Sequence, residues 1–176
     1  KEGDMEKDFN PQEFVGSFIQ VAKEVALRPK EFFGDMSRTG GFYPPVLFLA
    51  VCLAVRGILG SLIFFNPMPF IAALVSLVFA FIGAGILQFV LQQLFQGRGT
   101  YEGTFRVVAY SAVVQLLGWI PFIGFLASLY GLYLQVVGLE KVHEVSVGKA
   151  ILAVVITAAI FVLIMLPFGG LLIMMR

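Results

Sequence analysis

Arg56 stands inside an unbroken apolar run, LAVRGIL, and no carboxylate lies at comparable depth in any apolar segment of the chain. In a helix that begins near Pro45 it falls about 18 Å from the start at 1.5 Å per residue. If the run spans a bilayer, that is close to the middle of the hydrocarbon, where an arginine is costly and by default marks a functional position. Its partners must be neutral dipoles, backbone carbonyls, or an anion from outside the chain such as a lipid phosphate. It is either an arginine that fixes helix packing or a contact for an anion or lipid.

The other polar residues within apolar runs are mostly amides and phenols: Gln88, Gln92, Gln93, Gln115 and Gln135, with Tyr110, Tyr130 and Tyr133. Gln88 and Gln92 share a helix face at a spacing of four. Gln115 lies about 16 Å along its own segment at the same rise per residue, a depth similar to that of Arg56. In lipid such groups turn inward and bond across helices, so the set reads as interhelical glue or, with Arg56, as the lining of a path for an anion or small polar solute. No other chemistry is suggested. His143 is the only histidine and Cys52 the only cysteine, which leaves no metal-ligand set and no intrachain disulfide. No nucleophile has an adjacent base, and no carboxylate pair lies within an apolar run. GRGTYEG lacks the Lys-Ser/Thr ending of a phosphate-binding loop and reads as a turn. A cofactor-free, non-enzymatic protein is expected.

The elements that position these residues are membrane helices. The chain of 176 residues is 59% hydrophobic and 13% charged, against about 45–50% and about 25% for a soluble domain, and one internal core cannot absorb the excess. Five segments approach the roughly 20 residues needed to cross about 30 Å of hydrocarbon. They are 45–65, 70–95, 104–120, 122–139 and 150–175. The turns between them are NPMP, QGRGTYEG, WIPF and EKVHEVSVGK. Pro167, Gly169 and Gly170 predict a kink or early stop in the last segment. Gly124, Gly131 and Gly138 recur at intervals of seven along the fourth, a stripe that lets another helix approach closely, in this chain or in a second copy. Tyr43 and Trp119 suit interfacial anchors at opposite faces.

Ahead of the spans, residues 1–43 form a cytoplasmic segment. Residues 1–10 are charged, with a disordered tip, and eight of the eleven acidic residues precede Gly40. From Asn10-Pro11, a good helix start, Phe14, Val15, Phe18, Ile19, Ala22 and Val25 follow a helical period until Pro29. A second piece, PKEFFGDMS, carries Phe32 and Phe33. Two amphipathic helices are expected, either lying in the membrane surface through Phe14, Phe18, Phe32 and Phe33 or docked on the protein's own cytoplasmic face. Lys and Arg cluster in residues 1–38, at Arg98 and Arg106, and at Lys141 and Lys149, whereas NPMP and WIPF hold none. The N-terminus, QGRGTYEG and EKVHEVSVGK are therefore expected in the cytoplasm and the C-terminus outside.

PKEFFGDM followed by Gly40-Gly41 and PPVLFL resembles the approach to the membrane region of the Yip-domain family, named for Ypt/Rab-interacting proteins. Phe105-Arg106, Ala109-Tyr110-Ser111, the reversal at Pro121 and Gly124, Gly138-Leu139, and Val145-Ser146 with Gly148-Lys149-Ala150 continue the likeness over roughly residues 29–160. The resemblance implies a five-span bundle with a cytoplasmic N-terminus and supplies no catalytic residues. Eukaryotic members are tied to Rab GTPases, vesicle traffic and membrane shaping. The compact chain suggests a prokaryotic member in the cytoplasmic membrane, where Rab partners are absent. The expected partners are membrane lipid and a second copy or another membrane protein, with no nucleic acid. The expected function is to organise lipid or a partner at the cytoplasmic face, with a channel or transporter as the alternative.

Overall fold

A computed structural model describes the backbone of residues 8–174 and the side chains through Ile164. The element order is a 3-10 turn at Pro11–Glu13, α1 (Phe14–Leu27), α2 (Pro29–Asp35), α3 (Tyr43–Phe64), α4 (Met68–Phe95), α5 (Tyr101–Ser111), a 3-10 segment (Ala112–Leu117), α6 (Ile123–His143) and α7 (Val147–Met174). Prolines and short polar caps set the starts. Asn10 Oδ1 accepts from the Gln12 amide at 3.0 Å, and Thr100 Oγ1 accepts from the Gly103 amide at 3.1 Å. Prolines occupy the first turns of α2, α3 and α4, where the missing N–H leaves no intrahelical bond unmade. α7 runs on past Pro167, Gly169 and Gly170 rather than stopping early.

Among the described residues four helices, α3, α4, α6 and α7, are long and apolar enough to cross a membrane. The expected third span differs in kind. It is an 11-residue α-helix continued by six residues of 3-10 helix, about 28 Å in all at 1.5 and 2.0 Å per residue. Phe105, Arg106, Val107, Ala109 and Tyr110 have no exposure at all. This segment is wrapped by the protein, which is why its sequence carries Thr104, Arg106, Tyr110 and Ser111 without being polar toward lipid.

The glycine stripe on α6 is what lets the wrapped segment fit. A Cβ on Gly138 would lie 2.5 Å from Val107 Cγ1, one on Gly131 2.9 Å from Val114 Cγ2, and one on Gly124 2.9 Å from the Gly118 carbonyl. The stripe is thus used within the chain. The N-terminal helices join the same core: Phe9, Val21, Val25, Phe32 and Phe33 cluster with Phe48, Leu91, Val107, Leu134 and Ala150. Outward, α4 shows lipid-like side chains along its length, from Met68 to Leu94.

Candidate functional site

Three polar clusters lie in or against the bundle. The first is centred on Arg106, whose side chain is fully buried. Its Nη1 lies 2.6 Å from Asp8 Oδ2, its Nε 3.3 Å from Glu102 Oε1, and its Nη2 donates to the Gly41 carbonyl at 2.9 Å. Tyr110 donates its hydroxyl proton to Asp8 Oδ1, and the Phe9 amide donates to the same phenol oxygen at 3.3 Å. Two carboxylates and a carbonyl around one guanidinium meet the requirement that a buried charge be paired and hydrogen-bonded. Phe32, Phe48 and Phe9 then seal the site, with Phe32 and Phe48 rings 5.3 and 5.1 Å from Tyr110.

This cluster was not foreseen from the sequence. The sequence pattern counts Arg106 as a cytoplasmic loop charge and residues 1–10 as a charged segment with a disordered tip. Residues 1–7 lie outside the described residues, but Asp8 and Phe9 are anchored. A signal existed in the spacing, because Glu102, Arg106 and Tyr110 repeat at intervals of four on one helix face.

The second cluster closes the α4–α5 turn. Gln88 Nε2 donates to the Gly99 carbonyl at 2.7 Å and Gln92 Nε2 to the same oxygen at 3.3 Å. Thr104 donates to Gln88 Oε1, and its oxygen lies 2.7 Å from His143 Nε2. Gly97 and Gly99 press on the His143 ring so closely that a Cβ on either would fall within 2.9 Å of it. Gln88 and Gln92, paired by spacing in the sequence, do act together, as the clasp of this turn.

The third cluster lies deeper. Arg56 Nη1 donates to Gln115 Oε1 at 2.8 Å, so the intramembrane arginine meets a neutral dipole of the segment that was expected to lie at its depth. Gln115 also lines a crevice of about 260 Å³ together with Ser76, Ser111, Ser128 and Gln135. Gln135 continues into an adjoining crevice of about 200 Å³ that reaches Thr157 on α7. Tyr110 belongs to the first cluster rather than to this one.

The four phenylalanines assigned to the membrane surface part company. Phe32 and Phe33 are fully buried, against Tyr110 and Gly138. Phe18 lies tilted against Phe48 with ring centroids 4.9 Å apart, and Phe14 is 40% exposed. An apolar pair at helical spacing does not by itself distinguish core from lipid. Beside Phe18, α1, the 3-10 segment and the start of α6 enclose a groove of about 730 Å³ lined by Ile19, Ala22, Ala26, Leu117, Leu126 and other apolar residues, with Lys23 the one charged side chain at its wall.

No curated protein and no solved structure matches the chain. The family model of the Yip1 domain matches residues 23–168, which takes in the end of α1, all of α2 to α6 and most of α7. With its apolar spanning helices, the protein is an integral membrane protein and a member of the Yip1 family.

Proposed function

We propose that the protein is a non-enzymatic organiser of membrane lipid, holding an anionic phospholipid with its acyl chains in the groove beneath α1 and its phosphate beside Lys23. The groove is the observation that carries this reading. Its volume lies in the range of small-molecule sites, and its wall is apolar except for Lys23 and the Tyr130 hydroxyl.

α1 has three faces. Ser17, Val21 and Val25 are buried against the bundle. Val15, Ile19, Ala22 and Ala26 share a second face by their spacing, and Gln20, Lys23 and Glu24 a third. A helix lying in the interface needs such an apolar face toward the acyl chains and a charged face toward water. Tyr130 donates its hydroxyl to the Ala26 carbonyl at 2.7 Å, tying the end of α1 to α6. Arg28 and Lys30 are exposed just beyond, and each basic residue near an anionic surface contributes about 1 kcal/mol.

On this reading residues 1–43 form the cytoplasmic surface unit and residues 44–176 the membrane unit, which crosses five times, with the N-terminus cytoplasmic and the C-terminus outside, in a prokaryotic cytoplasmic membrane. The fifth crossing is the wrapped α5–3-10 segment. Its start lies beside α4 at Phe81 and Gln88, through Tyr101 and Gly99. Trp119, just past its end, lies beside Gly60, which also touches Pro69 at the start of α4. The segment therefore runs antiparallel to α4 for most of a bilayer's thickness. The positions of Lys and Arg support the orientation.

Ala26→Trp would fill the groove. The variant should retain less phospholipid through detergent purification than the wild-type protein. An unchanged lipid content in a folded variant would remove this reading.

A further inference from the structure

Three serines and one threonine differ in what their hydroxyls do at membrane depth. Ser76 donates to the Ala72 carbonyl at 2.7 Å, and Ser128 to the Gly124 carbonyl at 3.0 Å, the usual intrahelical outlet for a hydroxyl. Thr157 makes no such bond. Its Oγ1 is buried without a partner, and so is the Oγ of Ser111. Ser111 is 2% and Thr157 6% exposed. Each lines one of the two adjoining crevices, which share Ala80, Val108, Leu132 and Gln135 as common wall.

The amide of Gln135 also makes no hydrogen bond to any described residue. It stands in the middle of α6, half-buried on the wall that the two crevices share. Two buried hydroxyls without a partner in adjoining crevices, with a free amide between them, are not an accident of packing, because native interiors leave few such groups unpaired. Something that hydrogen-bonds belongs there.

The lining limits what that is. No charged side chain lines either crevice, and the guanidinium of Arg56 is turned to Gln115 Oε1. With that oxygen taken, Gln115 has its two Nε2 hydrogens left to give, so Arg56 acts here as a positioning residue. The cleft then presents amide N–H groups from Gln115 and Gln135, the Gln135 carbonyl, and the two free hydroxyls. Donors and acceptors mixed without net charge suit a hydroxylic ligand and disfavour an ion. A water takes about 30 Å³ of liquid, so about 260 and about 200 Å³ admit several waters or a small polyol. Ser128 and Leu132 on the wall are exposed, which leaves a lateral way in.

We infer that the cleft between α4, α6 and α7, floored by α5 and the 3-10 segment, is an intramembrane binding site for an uncharged hydroxylic ligand, either water or a small polyol. This goes beyond lipid organisation at the surface and does not rest on the groove beneath α1.

The test uses thiol accessibility in sealed proteoliposomes, with the buried native Cys52 replaced by serine. Gln135→Cys is compared with Leu129→Cys, on the exposed face of the same helix, and with Glu144→Cys in the polar turn. A small water-soluble methanethiosulfonate reagent should modify Gln135→Cys roughly tenfold or more faster than Leu129→Cys, because the reacting thiolate needs water. Added glycerol that slows the reaction identifies a polyol site, and glycerol without effect identifies water as the occupant. Equal rates at Gln135→Cys and Leu129→Cys, with Glu144→Cys reactive, would overturn the inference. If Gln135→Cys does not fold, Ser128→Cys on the same wall carries the comparison under the same criterion.

Discussion

Asp8 and Arg106, 98 residues apart in sequence, meet at 2.6 Å inside the protein. The contact couples the chain ahead of α1 to the most enclosed helix of the bundle, and it decides how the N-terminal region must be treated. Deleting residues 1–40 would probe a surface-lying segment, but it also removes Asp8, Phe9, Phe32 and Phe33 from the core. Point substitutions are the proper probes.

Asp8→Asn should destabilise the protein by about 3 kcal/mol, the lower end of the range for breaking a buried ion pair, because Glu102 remains at 3.3 Å from the guanidinium. Asp8→Leu combined with Arg106→Met should be more stable than Asp8→Leu alone, since the buried guanidinium is removed with its partner and the part-exposed Glu102 keeps the Gly41 amide. Thermal unfolding in detergent reads both. Independent, additive effects of the two substitutions would contradict the pairing.

Gly138→Ala places a methyl group 2.5 Å from Val107 Cγ1. Overpacking of this kind costs about 1–3 kcal/mol, and Val107→Ala in the same chain should recover much of it. Gly148, where an added Cβ meets nothing within 4 Å, should accept alanine without loss. Equal unfolding temperatures for the Gly138→Ala and Gly148→Ala variants would refute the proposed close fit of α6 on α5.

Removing Gln115 should harm the fold more than removing Arg56. Gln115→Leu leaves a guanidinium at membrane depth without the acceptor it holds at 2.8 Å. Arg56→Leu leaves a neutral amide. Hydrogen bonds to charged groups contribute about 1.5–3 kcal/mol, so Gln115→Leu should be the less stable variant by a measurable margin. The reverse order would mean that Arg56 is held by something other than Gln115.

The helices that face lipid were legible in the sequence. α3, α4, α6 and α7 announce themselves by uninterrupted apolar length, and their ends fall within a few residues of the turns expected at NPMP, QGRGTYEG, WIPF and EKVHEVSVGK. The wrapped segment was legible only as an apolar stretch. A helix enclosed by protein can carry Thr104 and Arg106, and its partners came from positions that no local pattern connects, Asp8 in one case and His143 in the other. The heptad glycines were read as a packing stripe, but their partner helix could not be named until Val107, Val114 and Gly118 were seen opposite them. Arg56 was found by its isolation. The meeting with Gln115 needed the parallel run of the 3-10 segment beside α3, which no spacing within either helix encodes.

The most direct test of the account measures how tightly the purified protein holds an anionic phospholipid, against a zwitterionic one of the same chains, before and after Lys23→Glu. Reversing this charge removes one attraction of about 1 kcal/mol and adds a repulsion of similar size. Anionic lipid should bind more tightly to the wild-type protein, and Lys23→Glu should weaken it by roughly tenfold or more while leaving the zwitterionic lipid unchanged. Equal affinities for both lipids, insensitive to Lys23, would contradict it.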